Sequence, residues 1–190
     1  MSKKKNKIKL LDILIVSMII FNLLFCIYLI SVRLIMDSKP KLEYKRCNTI
    51  ISVPIVNQPH LSKKEITSRI KKEINPILFI EIENHHFNGT TRGVTNMYWR
   101  VILIDERCEG YEYCFVKTHE YVHAKYFYTD ERLTQFTTFK ILYESKDAYL
   151  YSTSLYYLNH YLSYPPQYDC SYYVVEYLRE RGEILWINQL

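Results

Sequence analysis

Glycine and proline are scarce in this chain, at 4 and 6 among 190 residues. Between Tyr111 and Tyr164 there is neither. So long a stretch without a backbone breaker argues against frequent turns and for helices. Charge is absent from another place. Ile13 to Val32 carries none, and Ser17, Asn22 and Ser31 are its only clearly polar members. At 1.5 Å per residue this run spans about 30 Å, the thickness of a bilayer core. No A-x-A-like site follows it, which argues for an uncleaved anchor over a signal peptide or a buried core helix. A basic excess is missing too, once the first residues are set aside. Lys3, Lys4, Lys5, Lys7 and Lys9 account for the whole net charge of +5. From Leu10 onward bases and acids cancel, so nucleic acid is not an expected partner. There is no internal repeat and no low-complexity segment.

The anchor implies a lipid bilayer as partner and a single-pass membrane protein. The lysine cluster reads as its cytoplasmic flank. Arg33, Lys39, Lys41, Lys45 and Arg46 follow closely, however, so a count of Lys and Arg gives a tie. Cysteine usage leans one way. Cys26 lies in the anchor, and Cys47, Cys108, Cys114 and Cys170 remain. Cys108 and Cys114 enclose a short loop that a disulfide could close, favouring an oxidising, extracytoplasmic site for the C-terminal domain. The alternative is four reduced, buried thiols.

The chain divides on this reading into a basic tail and anchor (1–36), a linker (37–48) and a domain (49–190). Thr49 to Val56 is a candidate strand. Ser62 and Glu65 fit a capping box, and Ile66, Ile70 and Ile74 then mark one face of an amphipathic helix ending before Pro76. Ile77 to Ile82 and Met97 to Asp105 read as strands, with a polar loop from Asn84 to Gly93 between them. Helices are expected at about Tyr113–Tyr126, Asp130–Tyr143, Lys146–Leu162 and Ser171–Arg181. Strands first and helices after give an α+β domain, a short β-sheet followed by a mainly helical half.

The chemistry concentrates in His119-Glu120-Tyr121-Val122-His123, an H-E-x-x-H pattern inside the first of these later helices. Residues four apart share a helix face, so both imidazoles can reach one zinc ion, while Glu120 is placed to take a proton from water. Phe115, Val116, Tyr121, Val122 and Tyr126 surround this face with apolar groups, and buried histidines and a buried glutamate need compensation. A zinc ion is the simplest; a hydrogen-bonded pair of core histidines is the alternative. A catalytic zinc usually takes three protein ligands. If the next helix folds straight back, Glu131 lies in its first turn near the level of His123. Asp130 is the second choice, and Glu144 lies about 20 Å further along the axis. Thr129-Asp130-Glu131 equally suits acids at a helix N-terminus. For an oxyanion donor, Tyr151, Tyr156 and His160 on the third helix are candidates, each also readable as packing. The strand ending at Asp105 could take an extended peptide along its edge. His85-His86 reads as a solvated loop pair or a second metal site, and Gly89 marks a turn within the sequon-like Asn88-Gly89-Thr90.

Thr118 to His123, followed by Asp130-Glu131 and an aromatic helix, resembles gluzincin-type zinc metallopeptidases. More narrowly it resembles an uncharacterised bacterial family of membrane-bound zinc-peptidase-like proteins, in which Tyr151-Ser152 would match a further helix. The likeness covers about a third of the chain, Val101 to Leu162. It departs where the family tends to have Gly after the second His, here Ala124, and where Arg132-Leu133 follows the acidic pair. The resemblance implies a zincin-like domain acting on a peptide or protein substrate by a zinc-bound water, with Glu120 as general base. The competing expectations are a catalytically inactive zincin-fold binding or sensor module at the membrane, and an accidental motif that holds no metal.

Overall fold

In a computed structural model of the chain, the described residues are 2–45, 47, 49–51, 60–158, 160, 164–183 and 187–189. They form an α+β protein with six helices, a three-stranded sheet and a further strand pair. The chain divides into two units, residues 1–38 and 39–190.

The first unit is one helix, α1 (Ser2–Asp37). Its stretch Ile13–Asp37 contains an 18-residue window of mean hydropathy 2.8 and is long and apolar enough to cross a membrane. The polar members of the run bond back into the helix. Ser17 Oγ donates to Leu14 O, Asn22 Nδ2 to Met18 O and Ser31 Oγ to Ile27 O, each at 2.8 Å. A helix in hydrocarbon requires this, because no water is there to satisfy a hydroxyl or amide.

The second unit begins with β1 (Thr49–Ile51), which pairs antiparallel with β5 (Ile187–Gln189). The rest of the expected Thr49–Val56 strand lies outside the described residues. Helix α2 (Lys63–Glu73) starts as its sequence requires. Ser62 Oγ accepts from Glu65 N, and Glu65 returns a bond to the Ser62 N–H at 2.9 Å. Ile66, Ile70 and Ile74 are all buried against the core.

Three strands follow: β2 (Ile80–His85), β3 (Gly93–Asn96) and β4 (Val101–Asp105). Their order is β2-β4-β3, with β4 parallel to β2 and antiparallel to β3. This corrects two expectations. The strands start later than their apolar runs, because Leu78 and Arg100 adopt left-handed backbone (φ 65° and 50°) in turns that the strand pattern hid. The Asn96 side chain builds the second turn by accepting from the N–H groups of Tyr98 and Trp99. And β4 has a neighbour on each side, so the edge proposed for a peptide is occupied; β3, absent from the sequence reading, is an edge strand. The register puts Ile102, Ile104, Glu81, Glu83, Gly93 and Thr95 on one face and Ile80, Ile82, Val94, Val101 and Leu103 on the other.

Helix α3 (Gly110–Tyr126) packs on the first of these faces. It is buried nearly all round, which suits the central helix of a small domain. Phe127, in left-handed conformation (φ 57°), ends it and reverses the chain. Helix α4 (Glu131–Glu144) follows at once, then α5 (Ala148–Leu158) and α6 (Ser171–Glu180). Asp147 fixes the start of α5 by accepting from Tyr149 N while bonding Arg69 of α2 with both carboxylate oxygens. Helix α5 is described to Leu158, and residues 159, 161 and 162 of the expected Lys146–Leu162 helix lie outside the described residues.

All five cysteines are free thiols, so no disulfide closes Cys108 to Cys114. Cys114 is already within α3, and both sulfurs are buried. Burial pushes each thiol up to about 12. With no disulfide between them, the cysteines lend the extracytoplasmic reading no support.

Candidate metal centre

The left-handed turn at Phe127 sets the geometry of the site. Two residues after Tyr128 the side chain of Asp130 accepts from Leu133 N at 2.7 Å and starts α4, with Glu131 as its first residue. Glu131 therefore returns beside the last turns of α3, where His119 and His123 project together. The three donor atoms close a small triangle. His119 Nε2 and His123 Nε2 are 3.0 Å apart, and Glu131 Oε2 lies 3.1 Å from the first and 3.3 Å from the second. Both imidazoles are buried. Among the described residues this is the group that could hold a metal ion.

The donor set fits such an ion. Two ligands at 2.0–2.1 Å from a tetrahedral zinc stand about 3.3–3.4 Å apart, so the side chains need to open by a few tenths of an ångström at most. His123 Nδ1 is 2.7 Å from Tyr128 O and donates to it, so the neutral ring turns the lone pair of Nε2 into the triangle. Thr134 Oγ1 stands 3.3 Å from the same Nδ1. His119 Nδ1 is buried without a hydrogen-bond partner. Two inward lone pairs beside a carboxylate repel one another unless a cation or a proton sits among them. Without a metal, burial opposes a charge on His123, but its bond to Glu131 and the negative charges of Glu120 and Glu131 outweigh burial and raise its pKa. Burial likewise works to raise Glu131, and the two imidazoles overcome it and hold that carboxyl far below the usual range.

Glu120 is buried and points from α3 toward β3. Thr95 Oγ1 donates to its Oε2 at 2.7 Å, with Glu120 O at 3.0 Å as a second acceptor. Gly93 is the reason the carboxylate fits. A Cβ there would lie 2.6 Å from Glu120 Oε1 and 2.9 Å from Val116 Cγ1. Sequence reasoning missed both residues, because only the crossing of β3 over α3 brings them to Glu120. It also missed Tyr168, in the turn before α6. Partial burial and, after it, the charges of Glu131 and Glu120 raise this phenol's pKa.

The remaining candidates lie elsewhere. Asp130 is used as the helix cap. Glu144 is at the far end of α4, accepting from Tyr177 OH. Tyr151 packs on Tyr143, which is about 18 Å along α4 from Glu131. Tyr156 packs on Tyr111, about 12 Å along α3 from His119. His160 rests on Tyr156 and Tyr157. The His85 ring sits edge-on to Phe87, and His86 pairs with Glu106, so the two diverge.

Behind the site, α3 is fixed to β2 by a buried polar cluster. Lys117 is fully buried; its Nζ donates to Glu83, to Glu81 Oε2 at 2.9 Å and to Tyr113 OH at 3.0 Å. Tyr121 OH donates to Glu81 at 2.7 Å. Lys117 and Tyr121 alternate with His119 and His123 around the helix, so one turn of α3 grips the sheet while the opposite side faces Glu131.

Comparison of the chain with protein-family models, with curated proteins and with solved structures finds no match.

Proposed function

We propose that the chain is a single-pass, membrane-anchored zinc peptidase of zincin-like construction. The observation that carries this reading is the triangle of His119, His123 and Glu131 with Glu120 held one residue from the first ligand. A zinc ion in the triangle would lower the pKa of a bound water and polarise a carbonyl oxygen. The rest falls to the chain's own groups. Glu120, a buried carboxylate steadied by Thr95, takes a proton from the attacking water and passes it to the leaving amine. Tyr128 O and Thr134 keep the His123 ring turned inward. Tyr168, whose phenol feels the charges of Glu131 and Glu120, is the candidate donor to the developing oxyanion, because Tyr151, Tyr156 and His160 pack away from the triangle. The edge of β3 runs beside Glu120 and suits an extended peptide added as a further strand. A cytoplasmic N-terminus with the peptidase domain outside completes the reading, and protease protection of the C-terminal unit in sealed vesicles tests that orientation.

The experiment that tests the reading measures metal and turnover on the full-length protein. Near one zinc per chain is expected, lost in His119→Ala and strongly weakened in Glu131→Gln. Glu120→Gln should keep its zinc and lose peptide hydrolysis by about 10²-fold or more. Zinc retained with equal hydrolysis in both proteins removes the assigned base. Zinc retained with no hydrolysis in either supports the alternative of a zinc-holding binding module.

A further inference from the structure

The second face of the three-stranded sheet is open. Ile80, Ile82 and Val94 lie on it at 65, 44 and 40% exposure. At one end of it two turns stand side by side, joined by the bond from Ile80 N to Arg100 O. They carry Ile77, Leu78 and Trp99 at 75, 77 and 65% exposure. Leu78 reaches this position from left-handed backbone, a conformation a leucine takes at a cost. Water gains nothing from such a surface, and an apolar patch of this kind marks a place that something covers.

We propose that this surface docks on the lipid bilayer, with Ile77, Leu78 and Trp99 entering the boundary between headgroups and acyl chains. The proposal rests on the reading of α1 as a membrane anchor. Three observations favour lipid over a second copy of the chain. The first is tether length. Helix α1 ends at Asp37, and Leu42 is already bonded to the second unit through Arg132. Five residues reach at most about 18 Å, so the second unit is held at the bilayer surface. The second is charge. Neither 74–80 nor 94–103 contains an acidic residue, so these turns carry no carboxylate of their own to repel headgroup phosphates, and their one cation, Arg100, lies over the Phe79 and Phe127 rings. The third is shape and composition. The most exposed side chains sit on turn tips, which suits insertion into a soft phase, and tryptophan is favoured at that depth. The docked face is the reverse of the one that holds Glu120. Along β3, Val94 faces lipid while Gly93 and Thr95 face the carboxylate, so docking sets the peptide-binding edge at the membrane surface.

The test uses the full-length protein in phosphatidylcholine–phosphatidylglycerol vesicles. The chain has two tryptophans, so Trp186→Phe leaves Trp99 as the lone reporter. Lipids brominated at a shallow acyl position should quench its emission by roughly half, acrylamide should quench little, and Leu78→Asp should reverse that order. Should Trp186→Phe misfold, the same bromolipid-sensitive emission must be present in the unaltered chain and absent from Trp99→Phe. Carbonate extraction of the same vesicles separates the two claims. A chain that resists carbonate while Trp99 is quenched by acrylamide alone keeps its anchor and loses the docking face. A Trp99 shielded from both quenchers, with cross-links between copies, assigns the face to a second copy and overturns the proposal. A chain released by carbonate overturns anchor and docking together.

Discussion

Gly93 is the residue on which the proposed general base, Glu120, most depends. Adding one methyl group there meets Glu120 Oε1 at 2.6 Å and Val116 Cγ1 at 2.9 Å, and one of them has to move. The carboxylate is the softer of the two. Gly93→Ala is therefore expected to lower kcat for peptide hydrolysis by about 10- to 100-fold, since a misplaced base loses much of its contribution. Zinc content should be unchanged, as the nearest atoms an added Cβ meets belong to Glu120 and Val116 and not to His119, His123 or Glu131. Metal analysis beside steady-state kinetics checks both halves. Asp130 gives the complementary case. It caps α4 and is not one of the triangle's donors, so Asp130→Ala should cost about 1 kcal/mol of stability, read from denaturant unfolding, with zinc stoichiometry retained. Loss of zinc on that change with no loss in Glu131→Gln would exchange the two residues' roles.

At the scale of elements, α3 is a helix with two tasks on opposite sides. One side presents His119, Glu120 and His123. The other buries Lys117 against Glu81 and Glu83 of β2. Burial works to raise the Glu81 pKa, but the bonds it accepts from Lys71, Lys117 and Tyr121 win and bring it down to about 2 from 4.5. A depressed carboxylate contributes stability that is present above its ordinary pKa and is lost as pH falls through the folded value. The wild-type thermal midpoint should therefore fall between about pH 4.5 and pH 2, and Glu81→Gln should flatten that part of the profile. A variant curve that parallels the wild type would deny Glu81 this role. The H-E-x-x-H spacing, the capping box at Ser62 and the end of α3 at Tyr126 were legible because each is a local matter of spacing and backbone geometry. The start of each strand was not. Apolar runs such as Ile77 to Ile82 look continuous in sequence, while left-handed Leu78 breaks the strand on grounds that no pattern of hydrophobicity records.

For the molecule as a whole, the site ties two helices and the sheet to one centre. A metal held at 100 times its dissociation constant would add about 2.7 kcal/mol to the folded state. Removing it with a chelator is expected to lower the thermal midpoint of the full-length protein in detergent, and added zinc should restore it. His119→Ala should be insensitive to the same treatment. Equal response of both proteins to the chelator would place the bound metal elsewhere.

The sequence by itself determined the apolar span, the balance of charge beyond the first nine residues, the shared face of His119 and His123, and the return of Glu131 to their level. Each of these follows from fixed geometry along one helix or across one short turn. Only the tertiary structure decided that β3 lies over Glu120, that Gly93 leaves room for it, that β4 is enclosed, that Cys108 and Cys114 stay apart, and that Ile80, Ile82 and Val94 are exposed on one sheet face. These depend on which distant segments meet, and packing among residues far apart in the chain settles that without leaving a local mark.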